Sequence, residues 1–529
     1  MYTRLKGRYA NRISVQPGED AAGLVSNPED IALNLGLREY LDAVEHQAKP
    51  LMIPLGAELP LPDASPVSLF YQLCDSKGFL LESMEGSEKI ARYSYFGGNP
   101  PLTISFGASN RCEGEEPYLS MARNLGGTNA IDMIRSLLHR FNFVNMRAPR
   151  FFGGMVGYLS YDLIYALYPS VLKSHKPASN GPDAQFMLVK DCVVLDHVAE
   201  KMFIFSSPLL LYETDPKEEY EICREKVHHM AEKILRTDTA DPVPVPGPSR
   251  KPLQYSPNIS SEEFCRLVER AKEYILAGDI FQVVLSRRID LELDADPFAV
   301  YRALREINPS PYLYYLNFGE RKVIGASPEM LIRVERRRVT TVPIAGTRPR
   351  GNTPEEDERL ARDLRADEKE RAEHTMLVDL ARNDIGRIAK FRSLHVDDFM
   401  SIEQFSHVQH LVSTVQGTLR DDRDGYDALI SCFPAGTVTG APKMRAMQII
   451  DELENDRRGA YAGAVGCMGF DRNLECAITI RTILFDRTKA SIQVGAGIVA
   501  DSVPENEFWE TENKAQAMLR AIERVGGSP

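Results

Sequence analysis

Apolar residues recur along this chain in two rhythms. At three- and four-residue intervals they predict helices. One runs over 218–235, and a second is marked by Phe264, Leu267, Val268 and Ala271. The second opens with Ser260 or Ser261 as its N-cap and Glu263 nearby. The same spacing predicts a helix over 128–142, a long helical stretch or two helices over 353–385, and a last helix from about Glu505 to Val525. Alternating or continuous apolar runs predict strands at 49–59, a hairpin over 187–206 turning near His197–Lys201, and a glycine-punctuated strand within 151–163. They also predict three strands over 311–346 and three more at 460–470, 474–486 and 489–502. Hairpin-linked strands point to antiparallel sheets with helices outside, an α+β architecture.

The pattern breaks once. Residues 236–258, "RTDTADPVPVPGPSRKPLQYSPN", are proline-rich and carry almost no apolar periodicity. This segment reads as a linker between an N-terminal domain, 1–235, and a C-terminal domain, 259–529. A chain of 529 residues exceeds one ordinary core, which agrees with such a division. The net charge of −12 argues against a general nucleic-acid binder. "RVERRR" at 333–338 has no interleaved aromatics and reads as an exposed strand or turn. The N-terminal stretch has no apolar signal-peptide core, and no run is long enough to span a membrane, so a cytoplasmic protein is expected. Eight cysteines without a Cys-x-x-Cys pair read as reduced, mostly buried thiols.

Candidate chemistry begins with acids. Glu507 and Glu510 lie one helical turn apart, with Lys514 a turn later. Glu370 and Glu373 form a second pair on another predicted helix. Either pair alone is an ordinary solvated face. Together they could hold a divalent cation such as Mg²⁺ or Ca²⁺, which prefer oxygen ligands. A di-iron reading of Glu373-His374 fails, because it needs Glu-x-x-His pairs in a helical bundle. Three glycine-bearing segments add to the picture: "PIAGTRPRG" (343–351), "CFPAGTVTGAPK" (432–443) and "VGAGIVADS" (494–502). The first two suit an anion held by backbone N–H groups, and the third a strand that something approaches closely.

At these residues the sequence resembles the chorismate-utilising enzymes, and within them the large subunits of anthranilate synthases. The motifs "DIFQVVLS", "NPSPYLYY", "GASPEML", "PIAGTRPRG", "DEKERAEHTMLVDLARND", "CFPAGTVTGAPK" and "GAGIVADSVPENEFWETENK" run in family order from about 279 to 520. The resemblance implies two antiparallel sheets with outer helices. It implies Glu373 and Glu510 as Mg²⁺ ligands, with Glu370 and Glu507 close behind. It places Gly346, Thr347, Tyr461, Arg481, Gly495, Ala496 and Gly497 at the substrate, together with Lys514 and Thr437. Glu329 matches the general acid for the departing C4 hydroxyl, and His410 a histidine associated with elimination of pyruvate.

Two positions separate members of this family. Relatives that add water at C2 resemble one another in carrying a lysine where this chain has Gln282, because water needs a general base. Ammonia does not, so Gln282 favours amination. The aminodeoxychorismate synthases, the main alternative, resemble this chain but carry a nucleophilic lysine where Ala345 stands. The implied product is anthranilate, made by a lyase from chorismate and ammonia as the first step of tryptophan biosynthesis. No cysteine sits in a glutaminase elbow, so a separate glutamine amidotransferase subunit is the implied partner. "LLES" resembles the family's site for feedback inhibition by tryptophan, with Leu81, Glu82, Ser83, Pro311, Tyr312 and Leu313 as contacts. A catalytically dead regulatory protein is the rival from another class. The intact set Glu329, Glu373, His410, Glu510 and Lys514 speaks against it.

Overall fold

The computed structural model describes residues 31–526 except 75, 85–91, 108, 124, 145–148, 173–175, 177–180, 238–252, 293–294 and 406–407. Most of the expected linker, 236–258, therefore lies outside the described residues. Two large antiparallel sheets carry the fold. The first has twelve strands, in the order Tyr255–Pro257, Gln282–Glu292, Lys489–Ile498, Thr482–Asp486, Arg321–Ser327, Tyr312–Asn317, Gly78–Glu82, Tyr93–Gly98, Asp191–Asp196, Lys201–Ser206 and Leu55–Pro60, with Gly440–Ala441 beside Gln282. The second has eleven. They run Ile344–Pro349, Val408–Thr418, Arg338–Thr341, Met330–Glu335, Leu474–Ile478, Ala464–Gly469, Gly154–Leu159, Ala184–Val189, Leu102–Phe106 and Arg111–Gly114, with His395–Gln404 beside Val408–Thr418. A three-stranded sheet joins Leu51–Met52 to Leu209–Leu210 and, in parallel, to Asn142–Phe143. Both halves of the chain contribute strands to both large sheets.

The sheets pack face to face through Phe79, Tyr95, Val156, Met187, Tyr314 and Val465. Helices cover the outer faces. Pro297–Ile307, Lys443–Leu453 and Pro504–Val525 lie on the first sheet, and Ala130–Leu138 and Gly425–Cys432 on the second. Local chemistry explains the helix starts. Ser260 and Glu263 close the expected capping box, and the stretch over 353–385 divides at Asp367, which caps Glu368–Gly386 through two backbone N–H groups.

The strand expectations need correction where the chain changes sheets. The region 311–346 holds five strands rather than three. Arg321–Ser327 belongs to the first sheet and Met330–Glu335 to the second, so the chain crosses at Pro328–Glu329. Likewise 474–486 is two strands in different sheets, joined by a crossing at Thr479–Arg481. Arg481 takes a left-handed φ of 53° there. The crossings are hydrogen-bonded to each other's strands: Ile478 N–H donates to Glu329 C=O (3.0 Å) and Ala326 N–H to Arg481 C=O (3.1 Å). Apolar periodicity marks both segments as extended but is blind to which sheet they join.

One buried ion pair pins the "CFPAGTVTGAPK" loop. Lys443 Nζ donates to Asp384 (2.7 Å) and to the carbonyl of Cys432 (3.2 Å), where the loop begins. Lys443→Met leaves a buried carboxylate alone, at a cost of about 3–5 kcal/mol in denaturant unfolding. The loss shrinks at acid pH, since burial already holds the Asp384 carboxyl above its ordinary value and an orphaned carboxyl protonates readily. Unchanged stability at neutral pH would show that the pair contributes nothing net.

Candidate active site

The two crossings place Glu329 and Arg481 where the sheets meet. Burial pushes the Glu329 carboxyl up to about 8, so at neutral pH it holds a proton. The neighbouring Thr437 hydroxyl restrains that rise, although Thr437 Oγ1 closes no hydrogen bond and is itself buried. Both line one small cavity with Leu377, Leu380 and Asp384. Thr437 stands on the tight turn Gly436–Val438, pressed so closely on the Glu368–Gly386 helix that a Cβ on Gly436 would collide with Leu380.

Arg481 is held below its ordinary value by burial, with Tyr461 and Glu510 opposing. No carboxylate among the described residues closes an ion pair with it. A desolvated, unpaired guanidinium fits a bidentate carboxylate ligand. Burial raises the Tyr461 hydroxyl to about 12, so it stays a neutral donor. That hydroxyl lies over Gly495, where a Cβ would sit 2.5 Å from it. Gln282 lies over Gly497 in the same way, with its amide nitrogen 2.7 Å from a Cβ there. Gly495 and Gly497 thus admit these two polar side chains against the strand. Ala496 points the other way, into the core, and could offer a ligand only its backbone.

The second sheet supplies the opposite wall. His410 Nδ1 donates to Gly346 C=O (2.7 Å), with Thr347 Oγ1 at 3.1 Å. A carbonyl only accepts, so the proton sits on Nδ1. Burial keeps the ring neutral and leaves Nε2 basic. Gly346 has φ +65°, and the Glu370 carboxylate packs against it. The two arginines of "TRPRG" are spent internally: Arg348 pairs with Asp367 (2.8 Å) and Glu370 (3.1 Å), and Arg350 with Asp357.

The acid pairs do face each other. The Glu373 carboxyl is raised by burial and by Glu370 and Glu510, while Lys369 and Lys514 oppose. Glu507 is raised by burial, with Ser502 opposing and Glu510 adding, and its Oε2 is buried without a partner. Lys514 Nζ bridges Glu510 (2.5 Å) and Gly495 C=O (2.9 Å), tying this helix to the glycine strand. Mutually repelling carboxylates with an orphaned oxygen fit a divalent cation. Among the described residues no three acids, histidines or cysteines close into a complete cage. His374 turns away, buried on Ser413 Oγ (2.7 Å), with its ring pushed down to about 4 by burial.

A second cavity lies between the sheets, walled by Leu81, Ser83, Tyr95, Arg150, Tyr312 and Glu475. Glu82 and Leu313 border it, but their side chains point to the sheet's other face. Glu82 is taken up by Tyr301 and by Arg305 (3.0 Å), and Leu313 packs beneath the outer helices. Pro311 is not in its wall. Tyr95, Arg150 and Glu475 escape sequence reasoning because they come from segments remote in the chain. Glu475 is held low, despite burial, by Arg333 and Arg150.

A family model for chorismate binding enzymes matches residues 93–520. The chain belongs to that family. It is similar to anthranilate synthase component 1 of Acetivibrio thermocellus, 48% identical over 92% of this chain and 98% of that protein. It is also similar to the component 1 of Aquifex aeolicus, 45% identical over 93% and 98%. The crystal structure of anthranilate synthase component I from Streptococcus pneumoniae superposes with a TM-score of 0.68 at 35% identity, covering 87% of this chain and 99% of that one. Among the described residues no helix is long and apolar enough to cross a membrane.

Proposed function

We propose that this member of the family is the Mg²⁺-dependent aminating subunit of an anthranilate synthase, converting chorismate and ammonia to anthranilate and pyruvate. In this reading a partner amidotransferase subunit draws the ammonia from glutamine, in the first step of tryptophan biosynthesis. The observation that carries it is the protonated Glu329 placed with a free Arg481 at paired sheet crossings, opposite the convergent acids. Gln282 and Ala345 support amination at C2, since neither offers the amine that water addition or C4 amination uses.

Each residue then has a task. Arg481 and Tyr461 hold a carboxylate of the substrate. Glu373 and Glu510 would hold Mg²⁺, backed by Glu370 and Glu507, and the bound ion would neutralise the ring carboxylate. Ammonia attacks C2 with its own lone pair as Glu329 gives its proton to the C4 hydroxyl, which leaves as water. Loss of the C2 proton and of the enolpyruvyl group as pyruvate then aromatises the ring. Neutral His410 stands at this wall. Incubation with chorismate, Mg²⁺ and ammonium is expected to yield fluorescent anthranilate, and glutamine alone is expected to fail. No fluorescence with ammonium overturns the reading.

The second cavity suits tryptophan as feedback inhibitor, with aromatic walls and the Arg150–Glu475 pair for a zwitterion. Ser83→Leu fills it and is expected to weaken inhibition by tryptophan at least about tenfold, roughly the 1.4 kcal/mol of one buried contact. Undiminished inhibition would place the inhibitor elsewhere.

A further inference from the structure

A buried arginine bonds to several of the segments that carry the active-site residues. Arg458 is 3% exposed. Its Nη1 donates to Val438 C=O (2.8 Å), on the turn that carries Thr437. Its Nη2 donates to Val284 C=O (2.7 Å), two residues along the strand from Gln282 and opposite Gly497. Its Nε and Nη2 donate to Glu454 (2.9 and 2.6 Å), whose Oε1 also accepts from Ser286 N–H (2.8 Å) and Ser286 Oγ (2.9 Å). Ser286 pairs with Gly495. The guanidinium lies 5.6 Å from the Tyr461 ring on one side and 4.8 Å from the Tyr161 ring on the other.

The first half of the chain seats this arginine. Gly459, its neighbour, donates its N–H to Asp162 (3.1 Å), and its C=O accepts from Ser160 Oγ (2.7 Å) and Tyr161 N–H (2.8 Å). The segment "GYLSYD", 157–162, thereby fixes the backbone next to Arg458.

We propose that Arg458 is a positioning residue for the amination reaction. It sets the turn of Thr437, the strand of Gln282 and the ring of Tyr461 in one geometry, and the "GYLSYD" segment of the first half holds it in place. The proposal rests on the functional reading above. A buried guanidinium presents its donors in a fixed planar fork, and four of them here hold two carbonyls and a carboxylate in set directions, whereas lysine donates from a single rotatable point. Displacement of about 1 Å at reacting groups costs on the order of 100-fold in rate.

The test uses Arg458→Met combined with Glu454→Gln, which keeps an acceptor for Ser286 and leaves no unpaired charge, and Arg458→Lys as the conservative change. Folding is monitored by thermal unfolding, and amide hydrogen exchange is followed at 436–439 and 460–462. The double variant is expected to stay folded, to exchange faster in those two segments, and to lose about 100-fold in kcat per folded molecule, with Arg458→Lys falling between it and the parent. Parental kcat per folded molecule, or unchanged exchange, in the folded double variant overturns the proposal. Should the double variant not fold, Arg458→Lys decides alone: parental kcat and exchange overturn it, and reduced kcat with faster exchange upholds it. A parent that makes no anthranilate overturns the functional reading instead, and the exchange result still decides whether Arg458 holds these walls.

Discussion

Glu329→Gln is expected to lower kcat by about 10³-fold, the middle of the range for loss of a positioned general acid. Glutamine keeps the size and a donor but has no proton to give to a leaving hydroxyl. The parent should show the matching pH dependence. Burial holds Glu329 at about 8, so the protonated, competent form prevails below that value and activity falls as pH rises through it. Stability carries the same sign. The folded-state value lies above the ordinary 4.5, so the group's contribution is complete below about 4.5 and is lost as pH rises through about 8. Glutamine has no such loss, and the variant should gain stability relative to the parent between those limits. A variant with parental kcat, or a flat profile from pH 7 to 9, would remove Glu329 from the chemistry.

Glu373→Gln is expected to lower Mg²⁺-dependent turnover by at least about 100-fold, since charge stabilisation by a bound metal is worth several kcal/mol. Burial, with the neighbouring charges of Glu370 and Glu510, raises Glu373 and is the reason. These carboxylates destabilise one another unless a cation lies between them, and the amide removes one ligand charge. The parent should show a rise in unfolding temperature with added Mg²⁺, and the variant a smaller one, by ligand linkage. An equal rise in both, with full activity, would refute the metal role.

Much of this site is legible along the chain because its parts are local. Glu370 and Glu373, and Glu507, Glu510 and Lys514, share helix faces by spacing alone, and the glycines of "VGAGIVADS" mark a strand that Tyr461 and Gln282 overlie. What escapes is long-range. No periodicity tells that strands 321–327 and 330–335 belong to different sheets, although this crossing is what buries Glu329. Arg458 lies in "NDRRGAY", which looks like a solvated turn, and only the packing of Tyr161 and Tyr461 around it reveals a buried hub. Glu82 and Leu313 are expected from the "LLES" resemblance as inhibitor contacts, but strand alternation turns both side chains to the face away from the second cavity.

The most direct measurement is identification of the product formed from chorismate, Mg²⁺ and ammonium, by chromatography and mass, with pyruvate counted alongside. On the proposed reading, in which ammonia reaches C2 beside Glu329 as proton donor for C4 and no amine stands at position 282 or 345, anthranilate and pyruvate form in equal amounts. A non-aromatic amino or hydroxy product without pyruvate would contradict it.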